Sequence, residues 1–326
     1  MAWQETNMKT ICAAIAACIT LASPGAHSAD AYPARPVQLI VPFSPGGAVD
    51  VLARQLAQRM QAQGYTIVIE NKPGAGGNIA ASQVARASPD GYTLLMGTTN
   101  THGINSALYP TMPYDPIKDF APVGMVAENV VVLLANQSFP GKTLQEAVDV
   151  LRKNPGKYTY ASPGVGTVHQ LAMEQLKQAA NLDVVHAAYK GAGPAMSDLV
   201  AGHVPLMIGG IAPALPFLSD GRVRILGVAN TERYPTLPDV PLFSEVAPGV
   251  SVRSWIGLFA PAGTAAPVVE RLSADLRAVL QDPGFAATLQ PLGMAPRPIT
   301  PQAFGDMVRD DMPKWSAAVK ASGATQ

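Results

Sequence analysis

The amino-acid sequence predicts an α/β protein of two domains, each built on a mainly parallel sheet. Three observations predict this class. A strand, a glycine-rich loop and a helix alternate between residues 37 and 103, the same alternation returns between 158 and 201, and the proline-rich stretch 235–249 precedes a largely helical C-terminal part. In sheets of this kind ligands gather at the carboxyl ends of the strands, where these loops lie.

Taken in order, residues 37–41 are a short apolar run of the kind found in strands covered on both faces, and Pro42 and Pro45 end it. From Val49 the apolar residues fall at 49, 52, 53, 56, 57 and 60, one face of a helix. Gly46 and Gly47 therefore sit where free N–H groups meet the positive end of a helix dipole, a place that suits an anion. An ordinary strand–turn–helix connection explains the same pattern. Asp50, in the first helical turn, is placed to cap N–H groups. A second unit follows as strand 66–70, loop 71–78 and helix 79–87, and a third as strand 92–96 and the hydroxyl-rich loop 97–103.

The second half opens with an apolar strand at 130–135. Thr143 and Glu146 then form a capping box, starting a helix with Leu144, Ala147, Val148 and Leu151 on one face. Strand 158–161 leads through loop 162–169 into a helix ending near 180, and strand 184–187 leads through loop 189–194 into a helix ending near 201. Strands follow at 204–208 and 223–229. Residues 235–249 read as a linker or long surface loop. A strand at 255–260 precedes helices at 268–280, at 283–289 and after Thr300-Pro301, all expected to pack back on the first domain.

The chain has 326 residues, 48% hydrophobic and 14% charged, which indicates a globular protein with a large core. Its 23 basic and 23 acidic residues balance without a basic cluster, which argues against nucleic-acid binding. Lys9, the apolar run 11–22 and the small residues near 26–30 read as a secretory signal cleaved near residue 28 or 29. Both cysteines, Cys12 and Cys18, fall inside it, so the mature chain is expected to hold no disulfide, Cys–metal site or Cys nucleophile. Residues 15–18 resemble a lipoprotein box, but the apolar run continues to Leu21, which argues against a lipid anchor at Cys18.

The motifs of nucleotide binding and hydrolysis fail one by one. Gly141-Lys142-Thr143 lacks the first glycine of a phosphate loop, where Asn136 stands, and Gly164-Val165-Gly166 meets His169 where a dinucleotide fingerprint needs its third glycine. The histidines at 27, 102, 169, 186 and 203 are not spaced as a zinc pair, and no serine elbow occurs. His102 and His169 lie in or just after loops, where they serve either a ligand or the core. Lys190 is the one cation of the loop set, as readily a solvated lysine as a ligand contact. Small residues, hydroxyls and N–H groups suit reversible anion capture, whereas catalysis needs a tuned acid, base or nucleophile. No catalytic residue, metal or cofactor is expected.

Six stretches carry a family resemblance: YPARP at 32–36, VPFSPGGAVD at 41–50, ENKPGAGGN at 70–78, SPDGYTL at 88–94, YKG at 189–191 with Pro194-Ala195, and WIGLFAPAGT at 255–264. In this order they resemble the Bug-type receptors, the extracytoplasmic solute-binding proteins of tripartite tricarboxylate transporters. The resemblance implies a periplasmic binding protein-like fold of two α/β domains joined by two crossovers, with a ligand cleft between them. It assigns 1–29 to the signal, 30–128 plus 253–326 to the first domain and 129–252 to the second. It implies a periplasmic, monomeric, non-enzymatic receptor that hands a small organic carboxylate to a membrane permease. The ligand would meet Phe43, Gly46, Gly47, Thr98, Asn100 and Thr101 from the first domain, and Ser162, Gly164, Thr167, Tyr189, Lys190 and Gly191 from the second. Many members carry an Asp and a polar partner where Gly209 and Gly210 stand here, which disfavours an amino-acid ligand. The competing classes are a secreted hydrolase of a carboxylated substrate and a receptor serving a signalling partner.

Overall fold

The computed structural model describes residues 32–324, so the expected signal segment and the anchor position Cys18 lie outside the described residues. The first unit is β1 (Val37–Val41), α1 (Ala48–Met60) and β2 (Ile67–Asn71). Next come α2 (Asn78–Ala85), β3 (Thr93–Thr98) and a long strand, β4 (Phe120–Asn129). The chain then runs directly into β5 (Val131–Asn136), α3 (Leu144–Lys153), β6 (Thr159–Ser162), α4 (Val168–Ala180) and β7 (Val185–Ala188). After α5 (Ala192–Ala201), β8 (Leu206–Gly210) and β9 (Val223–Val228), it returns through β10 (Trp255–Pro261) to α6 (Ala266–Leu280), α7 (Pro283–Leu289), β11 (Met294–Pro296) and α8 (Pro301–Ser322).

These strands form two sheets, ordered β11-β4-β10-β3-β1-β2 and β7-β6-β8-β5-β9. In the first, β1 to β4 run one way, and β10, wedged between β3 and β4, runs against them. In the second, β5 alone opposes the rest, wedged between β8 and β9. The opposed strands β5 and β10 are the ones the chain enters after leaving the other sheet. Each sheet is therefore mixed in pairing while most of its strands share one direction. This is the periplasmic binding protein-like arrangement, with the carboxyl ends of β1, β3, β6 and β7 carrying the loops that meet between the sheets.

β4 has no counterpart in the sequence reading, because Pro122 and Gly124 interrupt its apolar pattern. The structure absorbs them as irregularities: the pairing of β4 with β10 shifts register between Ile256 and Gly257 and again between Leu258 and Phe259. Residues 235–249 also differ from the expected linker. Phe243 and Ala247 are buried in the core of the second sheet, and Leu242 bridges to Val228.

The last helix touches both cores. Phe304 and Val308 pack with Ile40, Leu95 and Phe259 under the first sheet, whereas Trp315, Ala318 and Val319 pack with Leu133, Leu171 and Leu206 of the second. Pro313 stands between the two groups and supplies no N–H to the helix. The C-terminal part, expected against the first domain alone, thus bridges to the second.

The two crossovers are stitched by one side chain. Asn230, only 6% exposed, accepts a hydrogen bond from the Val131 N–H at 2.8 Å and donates to Asn129 O at 3.1 Å and Glu128 Oε1 at 3.3 Å. Arg297 holds the other Glu128 oxygen at 2.9 Å. Replacing Asn230 with Leu leaves a buried N–H and a buried carbonyl unpaired, each costing about 1–3 kcal/mol. The expected result is a urea midpoint lowered by an amount equivalent to about 2 kcal/mol or more, with the slope of the transition unchanged.

Candidate functional site

A cavity of about 530 Å3 lies between the two sheets. Six of the twelve sequence-predicted residues line it: Phe43, Thr98, Asn100, Gly164, Thr167 and Gly191. The other six stand close by in different roles. The Gly46 N–H, expected to face a ligand, donates to Asp50 Oδ2 at 2.8 Å, and Gly47 is the residue from which α1 starts. Asp50 is buried, which pushes its carboxyl up, but bonds from Arg54, Gly46 and Asn71 outweigh this and hold it below its ordinary range. The carboxylate therefore braces the loop and uses up its glycine donor, and Ala48 and Val49 line the cavity in its place.

Thr101 is also a brace. Its hydroxyl accepts from the Thr98 N–H at 2.9 Å and donates to Thr98 O at 3.1 Å, closing the end of β3 on itself. Ser162 is fully buried, with Oγ 2.7 Å from His186 Nε2 and 3.2 Å from the Gly164 N–H it receives. His186 was not singled out from sequence; it reaches this position because β6 and β7 pair in register, setting Tyr160 beside His186 with their rings stacked at 4.8 Å. Tyr189 turns its hydroxyl to Asp198 Oδ2 at 2.6 Å, and this bond pushes the phenol up to about 12. Lys190 is exposed and outside the lining.

The two histidines weighed as ligand contacts separate. His102 is fully buried, stacked on Phe259 at 3.9 Å, and belongs to the core of the first sheet. His169 follows the N-cap Thr167 of α4 and lines the cavity. Sequence reasoning missed the apolar wall: Leu108, Tyr109, Trp255 and Ile256 come from segments with no glycine-rich loop, and only the WIGLF stretch gave a signal for the last two. It also missed Gly76, in a loop it had marked. A Cβ there would stand 3.1 Å from Tyr109 Oη and 3.2 Å from Asn105 Nδ2 at a φ of +63°, so glycine is required.

The electrostatics come from the backbone. Three helix starts reach the lining, at Ala48, Thr167 and Gly191, with Gly76 in the turn before a fourth helix, and no Asp, Glu, Lys or Arg side chain does. First-turn N–H groups lack intrahelical acceptors and carry the positive end of the helix dipole; at α1 the Asp50 carboxylate takes up the Gly46 donor, and at α4 the Thr167 hydroxyl accepts from Gln170 N–H. Gly210 stands near one lining residue. A Cβ at 210 would lie 3.6 Å from Nδ2 of Asn129, which lines the cavity. Among the described residues no group of three or more His, Cys, Asp or Glu side chains could hold a metal ion.

Contacts across the cavity close it. Asn100 Nδ2 donates to Gly166 O at 3.0 Å, joining the β3 loop to the β6 loop. Leu108 packs over Gly166 so closely that a Cβ there would come within 2.1 Å of Leu108 Cδ2.

Burial pulls His102 down to about 3 and His169 down to about 4, so both are neutral in the fold. The unfolded chain takes up their protons near pH 6.5, and the folded chain refuses them until about 4 and 3. Their contribution to stability is therefore complete above pH 6.5 and lost as the pH falls below it. The melting midpoint is expected to drop steadily from pH 6.5 to pH 4.5, and the His102 ring resonances to show no titration above pH 5.

The geometry has counterparts in known proteins. The profile of the tripartite tricarboxylate transporter family receptors, TctC, matches residues 52–324. Protein BugT of Bordetella pertussis is 32% identical over 324 residues, covering 98% of this chain and 99% of that one. The structure of R. palustris Rpa4515 with adipate superposes with a TM-score of 0.82 at 33% identity, over 90% of this chain and 99% of that one. MatC (Rpa3494) from Rhodopseudomonas palustris with bound malate does so with a TM-score of 0.76 at 38% identity, over 88% and 100%. With a matching profile over most of its length and a fold shared with these binding proteins, the chain belongs to the tripartite tricarboxylate transporter receptor family, the group that includes the Bug proteins.

Proposed function

We propose that the chain is a periplasmic solute-binding protein that captures a small organic carboxylate between its sheets and delivers it to the permease of a tripartite tricarboxylate transporter. One observation carries this reading: three helix starts reach a cavity whose lining holds no Asp, Glu, Lys or Arg side chain. N–H groups at helix starts bind a carboxylate without the desolvation cost of a buried lysine or arginine. The adipate and malate of the two solved relatives are carboxylates of the class such donors would hold. Binding draws the two sheets together, and the Asn100–Gly166 bond holds the closed form that a permease would recognise.

The hydrolase reading has one observation in its favour, the Ser162–His186 pair at 2.7 Å. Ser162 is fully buried and outside the cavity lining, and no carboxylate is hydrogen-bonded to His186 among the described residues. The pair is a brace for the loop that follows β6.

The test is a thermal-shift screen of the chain from residue 30 onward against mono-, di-, tri- and aromatic carboxylates, after removal of any carried-over ligand by unfolding and refolding. A ligand at 100 times its Kd adds about 2.7 kcal/mol of stability. A raised midpoint with the compound recovered intact supports capture. No shift with any carboxylate overturns it, and consumption of the compound installs the hydrolase reading. Gly166→Ala is expected to hold the cleft open against Leu108, which is itself buried in the core. Small-angle scattering should show a larger radius of gyration, with ligand affinity reduced about tenfold or more.

A further inference from the structure

One hydroxyl holds the loop that follows β6, and a histidine decides what that hydroxyl can do. Ser162 Oγ accepts from the Gly164 N–H at 3.2 Å and lies 3.2 Å from Gly164 O and 2.7 Å from His186 Nε2, yet it has a single hydrogen to give. When Nε2 accepts, that hydrogen goes to the ring, the nearer acceptor, and Gly164 O keeps only the Thr167 hydroxyl at 2.8 Å. When Nε2 carries a hydrogen it donates to Oγ, and the serine hydrogen turns to Gly164 O. Ser162 then holds both backbone groups of Gly164 at once. Gly164 lines the cavity, Pro163 O receives the Gly191 N–H at 3.0 Å, and Gly166 O receives the Asn100 amide across the cleft at 3.0 Å. The loop that His186 governs through Ser162 is therefore the one on which the two sides of the cleft meet.

His186 is placed to gain and lose a proton. It sits half-buried on β7, the edge strand of its sheet, and among the described residues its Nδ1 is neither hydrogen-bonded nor enclosed. α4 brings to it Glu174 and Lys177, paired at 2.9 Å, and β6 brings the Tyr160 ring, whose hydroxyl donates to Glu174. Burial pulls the ring below its ordinary value, the Glu174 carboxylate works against this and the Lys177 ammonium adds to it; no other charged side chain among the described residues acts on it. The neutral ring has its one hydrogen on either nitrogen, so it allows both arrangements of Ser162 by turns. The charged ring has a hydrogen on each and allows only the second, in which Gly164 is held twice. We propose that His186 is a positioning residue for capture: as the cleft closes on a carboxylate the ring takes a proton from solvent, and through Ser162 it fixes the loop that carries Gly164 and Gly166. One N–H bond forms and no other covalent bond changes. The proposal rests on the carboxylate-capture reading above and adds to it a proton as the second ligand.

The experiment is calorimetry on the chain from residue 30 onward, titrated with succinate, malate, adipate, benzoate and the strongest carboxylate of the thermal-shift screen, from about pH 8 to about pH 5.5 and in two buffers of different ionisation enthalpy. Affinity is expected to rise about tenfold as the pH falls through this window, with protons drawn from the buffer on binding, because a ligand that raises the proton affinity of His186 is itself bound more tightly once the ring is charged. His186→Gln, with its fold checked by its melting midpoint, should lose this rise and keep only what the ionisation of the ligand's own carboxyl produces. His203→Gln is the control. His203 is exposed and bonded at 3.2 Å to Asp198, and its loss should leave the rise in place. His102 and His169, buried and neutral, contribute nothing in this window. As a measurement free of substitution, the ring nitrogen resonances of His186 in the unmodified chain should titrate at a higher pH with the ligand bound than without it. An affinity that varies with pH no more than it does in His186→Gln, or a His186 titration that the ligand leaves in place, overturns this inference alone. If no carboxylate of any kind binds, the capture reading falls and this inference falls with it.

Discussion

The two sheets face each other because the chain crosses between them at one place, and the Asn230 side chain holds that place together. Two strands crossing side by side are a weak joint unless their backbone groups are satisfied where neither sheet can supply a neighbour. Asn230 supplies both an acceptor for Val131 and a donor for Asn129, so the start of β5 and the return toward β10 stay in register. Everything in the cleft depends on that register. It brings the carboxyl ends of β1 and β3 opposite those of β6 and β7, and it sets the helices that follow them pointing inward.

The cleft is lined without any Asp, Glu, Lys or Arg side chain. Side chains at its margin work on the loops: Asp50 braces one, Thr101 another, and the Ser162–His186 pair a third. Their polar groups are turned into the protein and away from the cavity. What lines the cavity is a mixture of helix starts and neutral polar side chains, Thr98, Asn100 and Ser254 among them.

Much of this was legible in the sequence, and the physical reason is local. Glycine-rich loops between an apolar run and an amphipathic helix announce a helix start, which marked the loops at 71–78, 97–103, 162–169 and 189–194, and the family resemblance then named Phe43, Thr98, Asn100, Gly164, Thr167 and Gly191, which line the cavity. The same signal overreached where a neighbouring side chain intervened, as when Asp50 took the Gly46 donor and Asp198 took the Tyr189 hydroxyl. β4 was hidden because its proline and glycine are tolerated only by the irregular pairing with β10, a partner more than a hundred residues away. Leu108 and Tyr109 were hidden for a similar reason. Their place in the cleft is decided by how the two sheets meet, and no pattern within their own segments records it.

The last helix gives the joint a property that two crossing strands alone would lack. Bodies linked at two adjacent points swing freely about the line between them, whereas a third link lets them swing only as far as it bends. Here the third link is a helix rooted in one core by Phe304 and in the other by Trp315, and a helix is stiff everywhere except where a hydrogen bond is missing. Pro313 removes one between the two roots. The cleft is thus sprung: the amplitude of opening is set by how far a single helical turn can flex, and its direction by the side of the helix on which that turn is weak.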